Sequence, residues 1–540
     1  MRFYEFKIDL TEAKGVFGRK AGEPYVHDNG ETAEFVQVRA IPDLAEGGQF
    51  ETPDQRDEAI RQFETDIHAK IEWVNSPNNS MLAFGIAQIR TQDGKDLYWG
   101  RYLKKVGADL MGVWSNKEIP TPHIDSIAKN GVRFTQGYVT APNCSPSRAG
   151  LITGKLGTRF GHEFNPTGAK NERSDFGLPL SQKTLADFLQ EAGYINGLIG
   201  KWHLGGTAPY HPFRRGFDEF FGFTHEGHYF VPEPWEGTTT WLRRSVLPGG
   251  GKGRRTFGKV IYSTHMGYNE PDYDANNPIV RGSQPVQEKV YFTDAITRES
   301  RDFIERHADK PFFLFVSYNA VHSPLQATDK YMNKFKHIKD IQRRIFAAML
   351  ANLDDSVGEI MKKMRDEGLE KDTLVFFLSD NGGPTRELTS SNLPLRGEKG
   401  QMYEGGIRVP FLFQWISKIP SGKIYNRPVL STDIFATILS AAKVPKPKDR
   451  WECYDLVPYL NGKYNEDPHE FLYWKQSHKA AFRIGDMKIV RQSPKKWELY
   501  DLADDPSESN NLINDEPERF KSLLEGWEKI DSGMVKHLFK

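Results

Sequence analysis

At 540 residues the chain is too long for one compact core and should form two or three units. Its 72 Lys plus Arg balance 72 Asp plus Glu, which excludes the basic excess of a nucleic-acid binder, and no apolar run is long enough to cross a bilayer, so neither nucleic acid nor membrane is an expected partner. Two cysteines exclude a disulfide framework.

The opening "MRFYEFKIDLTEAKG" has no charged start, apolar core and small-residue cleavage site, so no secretory signal is expected in the chain as given. Residues 1–116 read as a small α+β unit without a chemical motif. Ile60, Phe63, Ile67 and Ile71 recur at helical spacing behind an acidic start, which predicts an amphipathic helix. "SMLAFGIAQIRT" and "DLYWGRYLKKV" predict two strands.

From residue 117 onward helices alternate with short apolar strands. "TPHIDSIAKNGVRF" predicts a helix and a strand, and "SQKTLADFLQEAGY" a capped helix stopped at Gly193 before the strand "INGLIG". Two further pairs follow: "TDAITRESRDFIERHA" with "KPFFLFVSY", and "RRIFAAMLANLDDSVGEIMKKMRDEG" with "DTLVFFLSD". Wholly apolar strands between helices imply a mainly parallel sheet covered on both faces. Tyr229 to Gln287, rich in Gly, Pro and aromatics, reads as a long irregular region near a site. Beyond residue 420 the large domain closes. "AFRIGDMKIV" and "WELYDLADD" predict antiparallel strands of a smaller C-terminal subdomain, with a last helix over "EPERFKSLLEGWEKI".

Open parallel sheets bind ligands beyond the carboxyl ends of their strands. Four such ends here deliver reactive side chains: Lys201 and His203 after "INGLIG", His322 in "NAVHSP", Asp380 and Asn381 before two glycines, and Cys144 with Arg148 one turn on. Lys399 lies in a Gly-flanked loop and can contact an anion. Asp380 and Asn381 are hard oxygen donors suited to Ca²⁺ or Mg²⁺. His225 and His228 could face a substrate, with His228 the candidate binding residue. The pair Asp354–Asp355, inside a long helical pattern, reads as a solvated face, and Cys453, among apolar neighbours, as a small buried hydrophobe. A divalent cation with lysines suits an oxyanion ester, whose charge grows in the transition state, and histidines can move protons near neutral pH.

"CSPSRAGLITG" resembles the signature of the type I, formylglycine-dependent sulfatases. "GKWHLG", "HSP", "SDNGG", "GEKGQMYEGGIRVP" and "ELYDLADDPSESNNL" follow in the family's order. "RFGHEFNP" and "RRGFDEFFGF" look most like members acting on sulfated carbohydrates. The resemblance implies an alkaline-phosphatase-like α/β fold, with the catalytic domain over 117–420 and its end plus the C-terminal subdomain over 421–540. It further implies that a formylglycine-generating enzyme converts Cys144 to formylglycine, whose hydrate attacks sulfur. Arg148 would hold that group, Lys201 and Lys399 would bind sulfate oxygens, His203 would assist collapse, His322 would protonate the leaving oxygen, and Asp380 and Asn381 would ligate Ca²⁺. The partner implied is a sulfated carbohydrate or other sulfate ester; relatives of this kind are usually periplasmic or secreted. A phosphate or phosphonate ester hydrolase of the same superfamily and an inactive sulfatase-like fusion are the alternatives.

One departure stands out. The family opens on an apolar strand ending in paired aspartates, whereas "YWGRYLKKVGADLMGVWSN" has neither, and Asp109 in "GADLMG" is a poor echo of the pair. The expectation is that residues 1–116 are unrelated sequence in the place of that strand. The sheet would then lack one strand and the cation site about half its protein ligands, weakening activity.

Overall fold

The computed structural model describes residues 118–449 and 452–539, together with the backbone of four N-terminal strands. The chain divides into two compact units, Met1–Gly107 and Ala108–Lys540. In the first, strands Pro24–Val26, Thr32–Ala40, Met81–Thr91 and Asp96–Lys104 form one antiparallel sheet in chain order, and the last two are the strands anticipated there. The helix expected around Ile60 to Ile71, and Asp109, lie outside the described residues.

In the large unit helix α1 (Pro122–Lys129) leads to strand β1 (Val132–Phe134), and α2 (Cys144–Thr153) follows. Helix α3 (Leu185–Glu191) starts on a capping box between Thr184 and Asp187, which satisfies N–H groups the first turn leaves free. It ends before Gly193, whose φ of +85° suits glycine. Strands β2 (Ile195–Lys201) and β3 (Glu219–Phe223) come next, then α4 (Phe292–Arg306), β4 (Phe312–Ser317), α5 (Ile341–Asp366), β5 (Val375–Leu378) and β6 (Phe411–Gln414). Helix α6 (Asp433–Ala441) closes the layer, and α7 (Pro517–Asp531) lies in the C-terminal part.

The central layer consists of two sheets. In the first, β2 runs parallel to β3 on one side and to β4 on the other, with short antiparallel strands beyond β3. In the second the order is β5, β6, β1 and Lys423–Tyr425; β6 is antiparallel to both neighbours, so this sheet is mixed. Strand β2 is buried from Asn196 onward, as a strand covered on both faces must be. By contrast β4 is only partly buried up to Ser317 and β5 along its whole length, although both are wholly apolar up to that serine. Each is the last strand of its sheet, and among the described residues no strand lies between them.

The segment from Tyr229 to Gln287 is not the irregular region its composition suggests. Strands Thr238–Arg243, Arg254–Phe257 and Val260–Ser263 join Leu325–Thr328 in a separate sheet. Glycines and prolines mark its turns, whereas the alternating Thr, Trp and Ile positions carry the pairing. The C-terminal part is a four-stranded antiparallel meander from Leu472 to Asp501 with α7 packed on it through Leu523 and Trp527. Among the described residues no helix is long and apolar enough to cross a membrane.

Asp354 is not part of a solvated face. It is buried in α5 and accepts N–H bonds from His123 (3.1 Å) and Ile124 (2.8 Å), fixing the first turn of α1. A carboxylate here replaces the missing side-chain cap of that helix. Cys453 is fully buried in an apolar cluster with Leu439 and Phe435.

Candidate active site

Cys144 is the first residue of α2 and is 2 % exposed. The turn before it ends in the extended Asn143, so the chain enters the helix with its free N–H groups around the thiol. The Sγ lies 3.3 Å from Asn381 Oδ1. Four residues on, one turn along the same face, Arg148 points the same way. Its Nε donates to Asp380 Oδ2 (2.9 Å), and its Nη1 donates to the Lys201 carbonyl (3.0 Å) and Ser317 Oγ (2.6 Å). Ser317 Oγ donates to the same Lys201 carbonyl (2.7 Å). The planar guanidinium thus ties together the ends of β2, β4 and β5. Ser317 carries this role without any motif around it; its polarity at the end of an apolar strand is the signal that sequence reading passed over.

Lys201 is buried and Lys399 half-buried beside the thiol. Burial lowers the Lys201 pKa. Burial pulls Lys399 down too, but the charges of Cys144, Asp380 and Glu387 outweigh it and raise the pKa overall. Burial alone would raise Asp380, yet Arg148, Lys201 and Lys399 hold it well below the usual carboxylate range. The Lys399 loop is fixed to the cysteine turn by Gly400 N donating to the Pro142 carbonyl (2.9 Å).

Both histidines are neutral, for the same reason. Burial and the nearby lysines push His203 and His322 well below the ordinary imidazole pKa. Hydrogen bonding assigns their tautomers. His203 Nε2 faces the Pro166 carbonyl at 2.9 Å and must carry the proton, which leaves its lone pair on Nδ1, buried and without a partner. His203 also has φ +57°, a strained backbone conformation for a non-glycine residue, often found at functional sites. His322 Nδ1 donates to the Ser323 carbonyl (2.8 Å), so its Nε2 accepts from Lys399 Nζ (3.2 Å). Beneath it Ser323 Oγ donates to Glu387 (2.7 Å), which pairs with Arg243 (2.8 Å), the last residue of the strand Thr238–Arg243.

The sequence-chosen residues Cys144, Arg148, Lys201, His322, Lys399, Asp380 and Asn381 therefore come together. Six of them, all but Cys144, line the polar end of a cavity of about 870 Å³. His203 joins through the Ser145 hydroxyl, which donates to its carbonyl (2.7 Å). His228 does not join that hydrogen-bonded set. Its ring packs near Phe223 and Phe292, and Nδ1 meets the Tyr229 carbonyl (2.8 Å), with Asp274 at 3.4 Å.

As a cation site the donor set among the described residues is of the right kind but too small. Asp380 and Asn381 offer hard oxygens, whereas Ca²⁺ takes six to eight. Asp380 Oδ2 is already paired with Arg148, and no other carboxylate among the described residues joins them. A separate trio, His123, Asp354 and Asp355, has ligand atoms within 4.8 Å of one another. Asp354 there is taken up by the α1 backbone, and Asp355 by Tyr331 and Lys334, so it serves as a helix tie.

A buried cysteine at a helix start, ringed by cations at the carboxyl ends of parallel strands, defines a hydrolase for anionic esters. The sulfatase family's sequence model matches residues 104–444, and the model for the C-terminal part of N-sulphoglucosamine sulphohydrolase matches 397–529. The chain belongs to the sulfatase family and has its alkaline-phosphatase-like fold; it is an enzyme that hydrolyses sulfate esters. It is 31% identical to human (Homo sapiens) steryl-sulfatase over 408 residues, covering 67% of this chain and 69% of that protein. N-acetylgalactosamine-6-sulfatase of Mus musculus is 31% identical over 409 residues, 73% of this chain and 69% of its own length. The crystal structure of Ps i-CgsB with k-i-k-neocarrahexaose superposes with TM-score 0.69 at 30% identity, covering 80% of this chain and 92% of that one. The family generally works with a metal ion and formylglycine.

Proposed function

We propose that this enzyme releases sulfate from a sulfated carbohydrate or an aryl sulfate, with residue 144, converted to formylglycine by a formylglycine-generating enzyme, as nucleophile. The observation that carries the reading is the convergence of Arg148, Lys201 and Lys399 on one buried cysteine with a single carboxylate, Asp380, among them. Three cations against one carboxylate leave an excess of positive charge that suits a sulfate group. Formylglycine hydrate would supply one hydroxyl to attack sulfur and a second through which the resulting ester collapses.

The chain's own residues divide the remaining work. Lys201, Lys399 and the N–H groups at the start of α2 bind the sulfate oxygens. Arg148, held by Ser317 and the Lys201 carbonyl, fixes the position of residue 144 and keeps Asp380 ionised. His203, with its free lone pair on Nδ1, accepts the proton that a hydroxyl at 144 must lose. Because His322 is neutral and accepts from Lys399, the proton for the leaving oxygen starts on the Lys399 ammonium and reaches it through the His322–Lys399 pair. Asp380 and Asn381 would hold the cation, with Ca²⁺ the best match for their hard oxygens, and it would offset charge on the sulfate group. Among the described residues the donor set is short, which favours weak turnover until further oxygens are supplied.

Sulfate release from a panel of aryl and carbohydrate sulfates, with mass spectrometry of the peptide bearing residue 144, tests the reading. Aldehyde at 144 and sulfate release lost in Cys144→Ala are expected. An unmodified thiol after co-expression with the modifying enzyme, or phosphate released far faster than sulfate, would overturn it.

A further inference from the structure

The serine of "HSP" and the sheet inside Tyr229 to Gln287 carry no reacting group, yet they meet directly under His322. Strand Leu325–Thr328, which begins two residues after Ser323, pairs antiparallel with strand Thr238–Arg243, with Leu325 opposite Trp241. Carried on by two residues, that register sets Ser323 opposite Arg243, and residues opposite one another share a face. Arg243 Nη2 accordingly donates to Ser323 Oγ (3.2 Å). Arg243 is itself fixed from both sides: its Nε donates to Glu270 Oε2 (3.0 Å), and its Nη1 meets Glu387 Oε1 (2.8 Å). Arg243, Glu270, Tyr273 and Ser323 are all buried.

A serine hydroxyl has one proton and two lone pairs, and Ser323 uses all three. It donates to Glu387 (2.7 Å) and accepts from Arg243; since its own proton goes to the carboxylate, the Tyr273 hydroxyl donates to it (3.1 Å). The carbonyl of the same residue holds His322 Nδ1–H (2.8 Å), and the Tyr273 ring stands edge-on to the imidazole at 5.9 Å. A residue held at its side chain by three partners has a fixed carbonyl, and that carbonyl fixes the imidazole with Nε2 toward Lys399. Packing alone would be served better by apolar side chains than by two carboxylates and an arginine under one hydroxyl. On the reading of His322 and Lys399 as the leaving-group acid, we propose that Ser323, anchored by Arg243 and Glu387, is the positioning residue for the proton of the departing alcohol. As the S–O bond breaks, its electron pair stays on the leaving oxygen, which takes the proton that passes from Lys399 through His322 Nε2 and leaves Lys399 neutral.

Such a proton matters where the leaving oxygen is strongly basic, as in a sugar alcohol or para-methoxyphenol, and little where it is weakly basic, as in para-nitrophenol. The test compares Ser323→Ala and Arg243→Lys, the latter keeping the charge but not the fork, in the full chain co-expressed with a formylglycine-generating enzyme. On para-methoxyphenyl sulfate kcat should fall about tenfold or more, and on para-nitrophenyl sulfate less than about twofold. The ratio of the two kcat values does not depend on how much of the protein is folded. A second readout needs no turnover: in ¹⁵N-histidine-labelled protein, with His322→Gln to assign the signal, exchange of the His322 Nδ1 proton with water should speed about tenfold in both variants. Equal losses on both esters, unchanged kcat on both, or an unchanged exchange rate would each overturn the proposal. His322→Ala separates it from the reading beneath it. Equal losses on the two esters in that variant would remove proton delivery by His322 itself, whereas a selective loss there without one in Ser323→Ala would overturn only the positioning role.

Discussion

Lys488→Met should unfold the C-terminal part in a pH-dependent way, and the structure sets the size of the effect. Lys488 Nζ lies 2.8 Å from Glu404 Oε1 and 2.8 Å from Glu508 Oε1, with all three side chains fully buried. Glu404 has other partners in Tyr138 (2.6 Å) and Arg408 (3.3 Å), whereas Glu508 has only Lys488 as its cation and the Glu404 N–H (2.6 Å). Burial, with Glu404 nearby, pushes Glu508 up to about 7 even with the lysine present. A carboxyl whose folded pKa is raised contributes stability below its ordinary range, and that contribution is lost as pH climbs through the folded value. Removing the ammonium raises Glu508 further and extends the loss to higher pH. At pH 5, with Glu508 protonated in both proteins, the substitution should cost about 1–2 kcal/mol in hydrogen bonds. At pH 9 it leaves an unpaired buried charge and should cost about 3–5 kcal/mol. Urea unfolding at the two pH values, read by the fluorescence of Trp474 and Trp527 in this part, measures both. Glu404 lies five residues beyond Lys399, so KM should rise as well. An equal cost at both pH values, or less than about 1 kcal/mol at pH 9, would refute the argument.

Asp354→Ala removes the acceptor of two α1 N–H groups and should cost about 2–3 kcal/mol, seen as a lower Tm with the aldehyde content at residue 144 unchanged. Arg148→Lys keeps the charge but loses the planar fork that reaches Asp380, Ser317 and the Lys201 carbonyl. Losing one charge-assisted bond of about 1.5–3 kcal/mol should lower kcat about tenfold to a hundredfold in steady-state sulfate release, and unchanged kcat would remove Arg148 from the site.

Sequence alone picked out most of the side chains that the structure brings together and the helices and strands from residue 117 that carry them. The regular alternation of helices and apolar strands from residue 117 needed only periodicity, and Thr184, Asp187 and Gly193 marked their helix locally. Cys144 and Arg148, one turn apart, were legible because helix geometry alone puts them on one face. Local pattern could not show what partners decide. Asp354 looks like any polar residue on a helix until α1, some 230 residues away, brings its N–H groups. The strands inside Tyr229 to Gln287 were hidden by their turns. The proton positions on His203 and His322 follow from carbonyls at Pro166 and Ser323 and from burial among lysines, which shift both pKa values. The departure at residues 98–116, which carry no apolar run ending in paired aspartates, was also legible in the sequence. Only the tertiary structure shows that among the described residues β4 and β5 each end a sheet, because strand pairing is a property of neighbours in space and not of sequence.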